Sequence, residues 1–310
     1  VNTTEILLDI ATVERETGIG KDTLRVWEKR YGFPLPVRDE HDERLYPQLQ
    51  VDQLRLIKRI LGNGLRPSKV VGLSMDELNA LLISSPEQEI DYPEDILTLV
   101  DLIKTHQAQG LRLVLNRLLL KQGLNDFLSK TITPLNQIVG EAWMRGEIRI
   151  FEEHLYSDQI TNVLRNAIST LREPTCVPRV LLTTLPGEEH SLGLLMAEAT
   201  LSLEGASCVN LGIQTPVQEI VSAVAAHRSD IVVLSLSATM TAQQIKTGLQ
   251  QVRLALPAPV ALWAGGSGVG KQRITIEGVN LMGPLSDLSA AVHVWRNNSK
   301  TLSTAISQQE

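Results

Sequence analysis

From residue 180 onward the chain alternates short β-rich runs with helical stretches, and few folds satisfy that order. Val180–Thr184, Ser207–Leu211, Ile231–Ser235 and Val260–Ala264 are the strand-like runs. Helical stretches at Leu192–Leu203, Val217–His227 and Ala242–Leu256 separate them. A weaker strand at Ile274–Glu277 and a helix at Ser286–Val294 close the series, and the polar tail from Asn297 is expected to fray. Strands joined through helices cross over the sheet in the right-handed sense, which predicts a parallel, doubly wound sheet. Ligands of such sheets sit at the carboxyl ends of the strands, so the loops after them are where chemistry is expected.

Two blocks without this alternation precede it, the first a set of short helices around a non-helical stretch and the second helical throughout. In the second, from about Glu94 to Leu171, stripes at Ile96, Leu97, Val100 and Ile103 and at Leu111, Val114, Leu115, Leu118 and Leu119 predict two helices. Phe127–Val139, running on to Trp143, and Phe151–Leu171 predict two more, together a four-helix bundle. In the first block a short helix begins at Ile10 and ends near Gly18, placed for a left-handed cap. A second helix runs from about Lys21 to Tyr31 and stops at Gly32 and Pro34, giving a helix-turn-helix. Pro34 to Pro47 has no helical period, Val51–Leu61 reads as a third helix, and Arg66-Pro67-Ser68 opens another. The linker falls near Ser84-Ser85-Pro86 and Asp91-Tyr92-Pro93. The predicted domains are therefore 1–78, 90–173 and 176–298.

Charge separates the blocks as well. The whole chain carries a net charge of −6, yet residues 11–74 hold 12 Lys+Arg against 9 Asp+Glu. Positive charge gathers in the helix-turn-helix segment, a weak electrostatic footprint for nucleic acid. With 43% hydrophobic and 21% charged residues the chain is not of disordered composition. No run approaches the roughly 18 apolar residues of a membrane span. Val1–Ile10 carries Glu5 and Asp9 and no basic run, so no secretory leader is expected there. Cys176 and Cys208 cannot form a disulfide framework or a zinc site alone and read as reduced thiols of a cytoplasmic protein.

Three motifs lie at the predicted strand ends. Gly265-Gly266-Ser267-Gly268-Val269-Gly270-Lys271 fits the spacing of a phosphate-binding loop. Gln272 stands where that loop needs Ser or Thr for magnesium, and the motif follows the fourth strand rather than the first, so nucleotide hydrolysis is not expected. Glu188-Glu189-His190-Ser191-Leu192-Gly193 follows the first strand. There His190 is either a solvated loop histidine or a metal ligand whose second ring nitrogen is held by Glu188. Ser235-Leu236-Ser237 ends the third strand.

Glu188-x-His190-x-x-Gly193 resembles the cobalamin-binding signature Asp-x-His-x-x-Gly, with Glu in place of Asp. The resemblance covers about 176–298 and implies a flavodoxin-like domain. It implies His190 as lower cobalt ligand in place of the cofactor's dimethylbenzimidazole, with the displaced tail held by Ser235 and Ser237 and given room by Gly193, Gly265 and Gly266. Trp143 followed after nine residues by Glu153-His154 is similar to the pattern of the CarH/LitR light-responsive regulators. By residue chemistry alone a core Trp beside an exposed Glu-His pair fits equally. The resemblance places Trp143, Glu153 and His154 at the upper, adenosyl side. The family's His after the Trp is Met144 here, a soft and weak cobalt ligand, which removes the bis-imidazole adduct through this position.

Thr23-Leu24-Arg25-Val26-Trp27-Glu28-Lys29-Arg30-Tyr31-Gly32 and Arg44-Leu45-Tyr46 resemble the second helix and the wing end of MerR-family winged helix-turn-helix proteins. The resemblance implies a double-stranded DNA operator met by Lys21, Thr23, Arg25, Tyr31, Arg38, Arg44 and Tyr46, with Glu28 expected in a pair within its own helix. The acidic residues Asp39, Glu40, Asp42 and Glu43 crowd the wing and favour salt-sensitive affinity. Taken together, the resemblances imply a transcription regulator rather than an enzyme. It would carry adenosylcobalamin (methylcobalamin being the alternative), form homo-oligomers, a dimer or tetramer, and use light to control them. Two alternatives remain at this stage: a corrinoid methyltransferase or mutase subunit, and a regulator on the same scaffold that senses another ligand.

Overall fold

The computed structural model of the chain describes residues 6–62, 65–83, 92–144, 147–171, 177–270 and 275–307. The chain divides into two compact units, residues 1–107 with 134–155, and residues 108–133 with 156–310.

The first unit opens with β1 (Leu7–Asp9), α1 (Ile10–Thr17), α2 (Lys21–Tyr31), β2 (Val37–Arg38), β3 (Arg44–Pro47) and α3 (Gln48–Gly62). A 3-10 turn at Pro67–Lys69 and α4 (Met75–Ile83) follow. The Asp9 carboxylate caps α1 by accepting from the backbone N–H groups of Ala11 and Thr12 at 2.8 and 2.9 Å, which satisfies donors the helix cannot. Gly18 ends α1 at φ 63°, the left-handed cap expected of it. The helices close on buried Val13, Leu24, Trp27, Leu54, Ile57 and Ile60. The three strands form an antiparallel sheet in the order β1-β3-β2, with β2 and β3 as the wing. The strand β1 was not foreseen; its three residues are ordered by pairing with β3 rather than by any pattern of their own.

Four helical segments follow, as the stripes predict. They are α5 (Glu94–Lys104); α6 (Ala108–Gln122); a segment that starts as α7 (Leu124–Asp126), passes through a π-helical turn at Phe127–Ile132 and continues as α8 (Thr133–Met144); and α9 (Ile150–Ser169). On α5 the buried residues are Ile96, Leu99 and Ile103, whereas Leu97, expected in the stripe, is exposed. By the division above, α5 and nearly all of α8 fall in the first unit, and α6, α7 and most of α9 in the second.

The second unit continues with β4 (Arg179–Thr183), α10 (Leu192–Leu203), β5 (Ser207–Asn210), α11 (Val217–His227), β6 (Ile231–Ser235) and α12 (Ala242–Ala255). It ends with β7 (Ala261–Gly265), α13 (Ser267–Gly270), β8 (Val279–Leu281) and α14 (Leu285–Ser307). The five strands are parallel in the order β5-β4-β6-β7-β8, the doubly wound sheet that the alternation predicts. Alternate residues serve opposite faces. Val180, Leu182, Ile231, Val233 and Trp263 pack with Leu194, Leu201 and Val292 of α10 and α14. Leu181, Val232, Leu234 and Leu262 pack with Ile220, Ile245 and Leu249 of α11 and α12. Burial on both faces is why these strands read as nearly continuous apolar runs.

Two expectations at the C-terminal end are corrected. The last strand is Val279–Leu281, not Ile274–Glu277: Gly278 turns the chain at φ 73° before pairing begins, and Ile274 lies outside the described residues. Helix α14 runs to Ser307 instead of fraying from Asn297. Arg296 ties it down, donating from Nε to the Val177 carbonyl at 3.0 Å and from Nη2 to the Glu204 carbonyl at 2.7 Å. Cys208 is half-buried and burial pushes its thiol up to about 11, while Cys176 lies outside the described residues. No helix among the described residues is long and apolar enough to cross a membrane.

A further correction concerns Tyr46, expected at the DNA surface. Its ring is fully buried in the core of the first unit. Among the described residues its hydroxyl has no hydrogen-bond partner. A buried hydroxyl without a partner contributes nothing to offset its desolvation. Tyr46→Phe is therefore expected to leave the chemical-unfolding midpoint unchanged or raised, and operator affinity unchanged. A loss of more than about 1 kcal/mol, or weakened DNA binding, contradicts this placement.

Candidate functional site

Strand β4 lies between β5 and β6, so the connections after β4 and β6 depart at the point where the winding of the sheet reverses. The loop after β4 carries Glu188 and His190, and the loop after β6 carries Ser237. Glu188 is fully buried and ties the two loops together. Its Oε1 accepts from the His190 backbone N–H at 2.9 Å and meets His190 Nδ1 at 2.7 Å. Its Oε2 accepts from the Ser237 backbone N–H at 2.6 Å. Burial alone raises a carboxyl's pKa, but here the hydrogen bonds from His190 and Ser237 outweigh it and hold Glu188 below its ordinary value. An ionised Glu188 accepts only, so Nδ1 of His190 carries the hydrogen between them, and in the neutral ring the lone pair is then on Nε2. The imidazole itself is 56% exposed.

Hydroxyl groups brace this arrangement. Ser237 Oγ lies 3.2 Å from His190 Nδ1 and 2.7 Å from Thr239 Oγ1. Thr184, just past β4, donates from Oγ1 to the Glu188 carbonyl at 3.0 Å and accepts from the Gln214 N–H at 2.7 Å. The four other residues expected here come together around β6 and β7. A Cβ on Gly193 would stand 2.7 Å from Ser235 Oγ, one on Gly265 3.3 Å from Met282 Cβ, and one on Gly266 would collide with the Leu236 carbonyl oxygen. Gly266 also sits at φ 107°, which disfavours any side chain. What presses on these glycines in the structure is the domain's own chain. Beside the His190 loop a groove of about 460 Å³ is lined by Thr161 and Arg165 of α9, Ser191, Leu194 and Glu198 around α10, and Gly212. Lys271 and Gln272 of the glycine-rich motif lie outside the described residues.

The Trp143, Glu153 and His154 group belongs to the first unit. Trp143 is half-buried near the end of α8, and its ring lies over the Arg55 guanidinium, 4.9 Å from the carbon to the ring centroid. Glu153 and His154 lie in the first turns of α9, with His154 Nε2 3.9 Å from Glu153 Oε2. Next to them Glu152 is buried and joins His106 Nε2 at 2.7 Å.

In the helix-turn-helix, Thr23 and Arg25 are exposed on α2, Lys21 and Tyr31 are partly so at its ends, and Arg38 is exposed on the wing. All four expected cations have carboxylate partners. Lys21 pairs with Glu14 at 3.6 Å, Arg25 with Asp22 at 3.1 Å, Arg38 with Asp42 at 3.2 Å and Arg44 with Glu28 at 2.9 Å. The last pair corrects the expectation for Glu28, whose carboxylate reaches across to β3 instead of pairing within α2.

Three family models match the chain in order: the MerR HTH family regulatory protein over residues 8–74, and a B12 binding domain over residues 96–168 and again, by a different model, over residues 178–276. The chain is 28% identical to the HTH-type transcriptional repressor CarA of Myxococcus xanthus over 264 residues, covering 84% of this chain and 87% of CarA. Its identity to the repressor CarH of the same organism is also 28%, over 269 residues, 84% of this chain and 89% of CarH. The chain is a MerR-type regulator with B12-binding domains.

The HTH-type transcriptional regulator MlrA of Salmonella typhimurium matches at 34% identity over 128 residues, 41% of this chain and 47% of MlrA. In fold, the regulator is similar to the monomethylamine corrinoid protein of Methanosarcina barkeri, with a TM-score of 0.52 at 20% identity, covering 64% of this chain and 96% of that one. The curated relatives are transcription regulators, so the enzyme alternative is set aside.

Three parts of the regulator's site were missed by sequence reasoning. Thr184 and Thr239 carry a signal that could have been read, since hydroxyl residues in the loops after strands are natural partners for loop carbonyls and for one another. Arg55 carries none, because its partner Trp143 is remote in sequence. The geometry generates a test of the Glu188 tie. Glu188→Gln keeps the volume but sets an amide N–H against one of the donors. The Ser237 amide is then expected to exchange hydrogen about tenfold to a hundredfold faster, a loss of about 1–3 kcal/mol. Unchanged exchange contradicts the tie.

Proposed function

We propose that the regulator binds adenosylcobalamin, with His190 as the lower cobalt ligand, and that the cofactor controls its oligomerisation and operator binding in response to light. The observation that carries this reading is the buried Glu188 carboxylate on His190 Nδ1, at the sheet's switch point. A carboxylate there orients the ring and raises the basicity of Nε2, the arrangement that serves a metal-bound histidine. Among the described residues no three His, Cys, Asp or Glu side chains gather into a metal-ligand set. One imidazole suits a metal already held by a macrocycle. The residues present therefore fit a corrinoid. Ser235, Ser237, Gly193, Gly265 and Gly266 are the residues proposed to hold its displaced tail, and Trp143, Glu153 and His154 those of the upper side.

When bound, adenosylcobalamin supplies a cobalt–carbon bond that light cleaves. The chain's own part is to favour one assembly over another through contacts that differ between the two, since a ligand shifts an equilibrium only by its differential affinity. A homo-oligomer pairs the heads and so fits a palindromic operator, where repression is the proposed outcome. Arg25 and Arg38 are proposed to exchange Asp22 and Asp42 for phosphates, with Lys21, Thr23, Tyr31 and Arg44 beside them. Each exchange breaks an existing ion pair, which makes the affinity modest and salt-dependent.

Purified protein mixed with adenosylcobalamin in darkness is expected to form a red complex with a base-off, His-on spectrum. His190→Ala is expected to weaken it at least tenfold or return the base-on spectrum; unchanged affinity and spectrum in that variant remove His190 as ligand. Size-exclusion chromatography in darkness and after illumination is expected to give different elution volumes. Identical profiles with the cofactor bound reject photoregulation.

A further inference from the structure

Arg55 of α3 is buried, its side chain 4% exposed. Its Nη2 donates to Glu16 Oε2 of α1 at 2.7 Å and its Nη1 to Asp52 Oδ1 at 2.6 Å. Its Nε, among the described residues, is buried without a hydrogen-bond partner. The guanidinium lies over the Trp143 ring at 4.9 Å. A desolvated guanidinium is stabilised by an indole face, the most favourable ring for a cation. The planar fork uses its nitrogens on two carboxylates of the head and its face on a residue of α8. Arg55 thereby belongs at once to the head's core, through α1 and α3, and to the ring assigned to the corrinoid's upper side.

We propose that Arg55 positions Trp143 and, through it, couples corrinoid binding to the DNA-binding head. The inference rests on the reading of Trp143 given above. An indole held on one face by a fixed cation has a set orientation. A corrinoid that requires another orientation strains the Arg55 contact, and one that requires the same orientation reinforces it. Either way the head and the cofactor share one contact. Linkage then makes the coupling reciprocal: the corrinoid changes operator affinity by the factor by which the operator changes corrinoid affinity.

The test measures operator affinity of the full chain in darkness, with and without adenosylcobalamin, in wild type, Arg55→Lys, and the double variant Arg55→Met with Glu16→Gln. Lysine keeps the charge against Glu16 but offers no planar face. The double variant removes Arg55 together with its buried partner Glu16; Asp52, the partner left behind, is 26% exposed and keeps the hydrogen bond from Gln48 Nε2 at 3.0 Å. In wild type the cofactor is expected to change operator affinity about tenfold or more. In both variants that ratio is expected to fall to about threefold or less, while the red complex still forms. A merely structural Arg55 would lower stability and leave the ratio intact, and that result overturns the proposal.

Hydrogen exchange of α3 provides a second readout that needs only the wild type and Trp143→Leu. Loading the wild type with adenosylcobalamin, and Trp143→Leu without it, are each expected to alter α3 protection; unchanged α3 in both overturns the proposal even where no Arg55 variant folds. A wild type that binds no corrinoid removes the site reading and this inference with it, whereas a bound corrinoid with an undiminished ratio in the variants removes this inference alone.

Discussion

One buried carboxylate organises the sheet domain's functional edge. Glu188 has no solvent to stabilise its charge, so its three hydrogen bonds to His190 and Ser237 must do so. Those bonds join the loops after β4 and β6 across the reversal in winding order. They also fix which nitrogen of His190 bears the hydrogen. The position of the imidazole and the tautomer of its neutral form thus follow from a single residue, whose backbone carbonyl accepts from the Thr184 hydroxyl while the Ser237 hydroxyl meets the ring at Nδ1.

Electrostatics impose a different constraint on the head. Its cations are numerous, yet each one expected at the duplex is already matched with a carboxylate. Exposed pairs of this kind contribute little to stability, about 0–1 kcal/mol each. Their larger effect is on binding, because a phosphate must replace a partner rather than meet a bare charge. Arg44 differs, being less exposed and held by Glu28 with Nε at 2.9 Å. Its bond to Glu28 stiffens the wing against α2.

Much of the architecture was legible because burial writes itself into periodicity. Leu192–Leu203 and Val217–His227 are legible to the residue because each is an apolar run of helical length bounded by loop residues, the first buried almost all round and the second on Ile220 and Val224. The last strand was misplaced because Ile276 is buried for packing and not for pairing, and hydrophobicity does not distinguish the two. The π-helical turn at Phe127–Ile132 left no separate mark in the stripe. In the site, Glu188 and His190 were found by their spacing of two, which a single loop can satisfy. The Arg55–Trp143 contact, and the burial of Tyr46, depend on tertiary neighbours that no local pattern encodes.

The central claim is that the ring nitrogen opposite Glu188 ligates cobalt. Electron paramagnetic resonance of the protein grown with 15N-labelled histidine and loaded with unlabelled cob(II)alamin tests it directly. Each cobalt hyperfine line is predicted to split into a doublet, from an axial 15N of His190. A triplet from the 14N of the cofactor's own base, or no nitrogen splitting at all, contradicts the account.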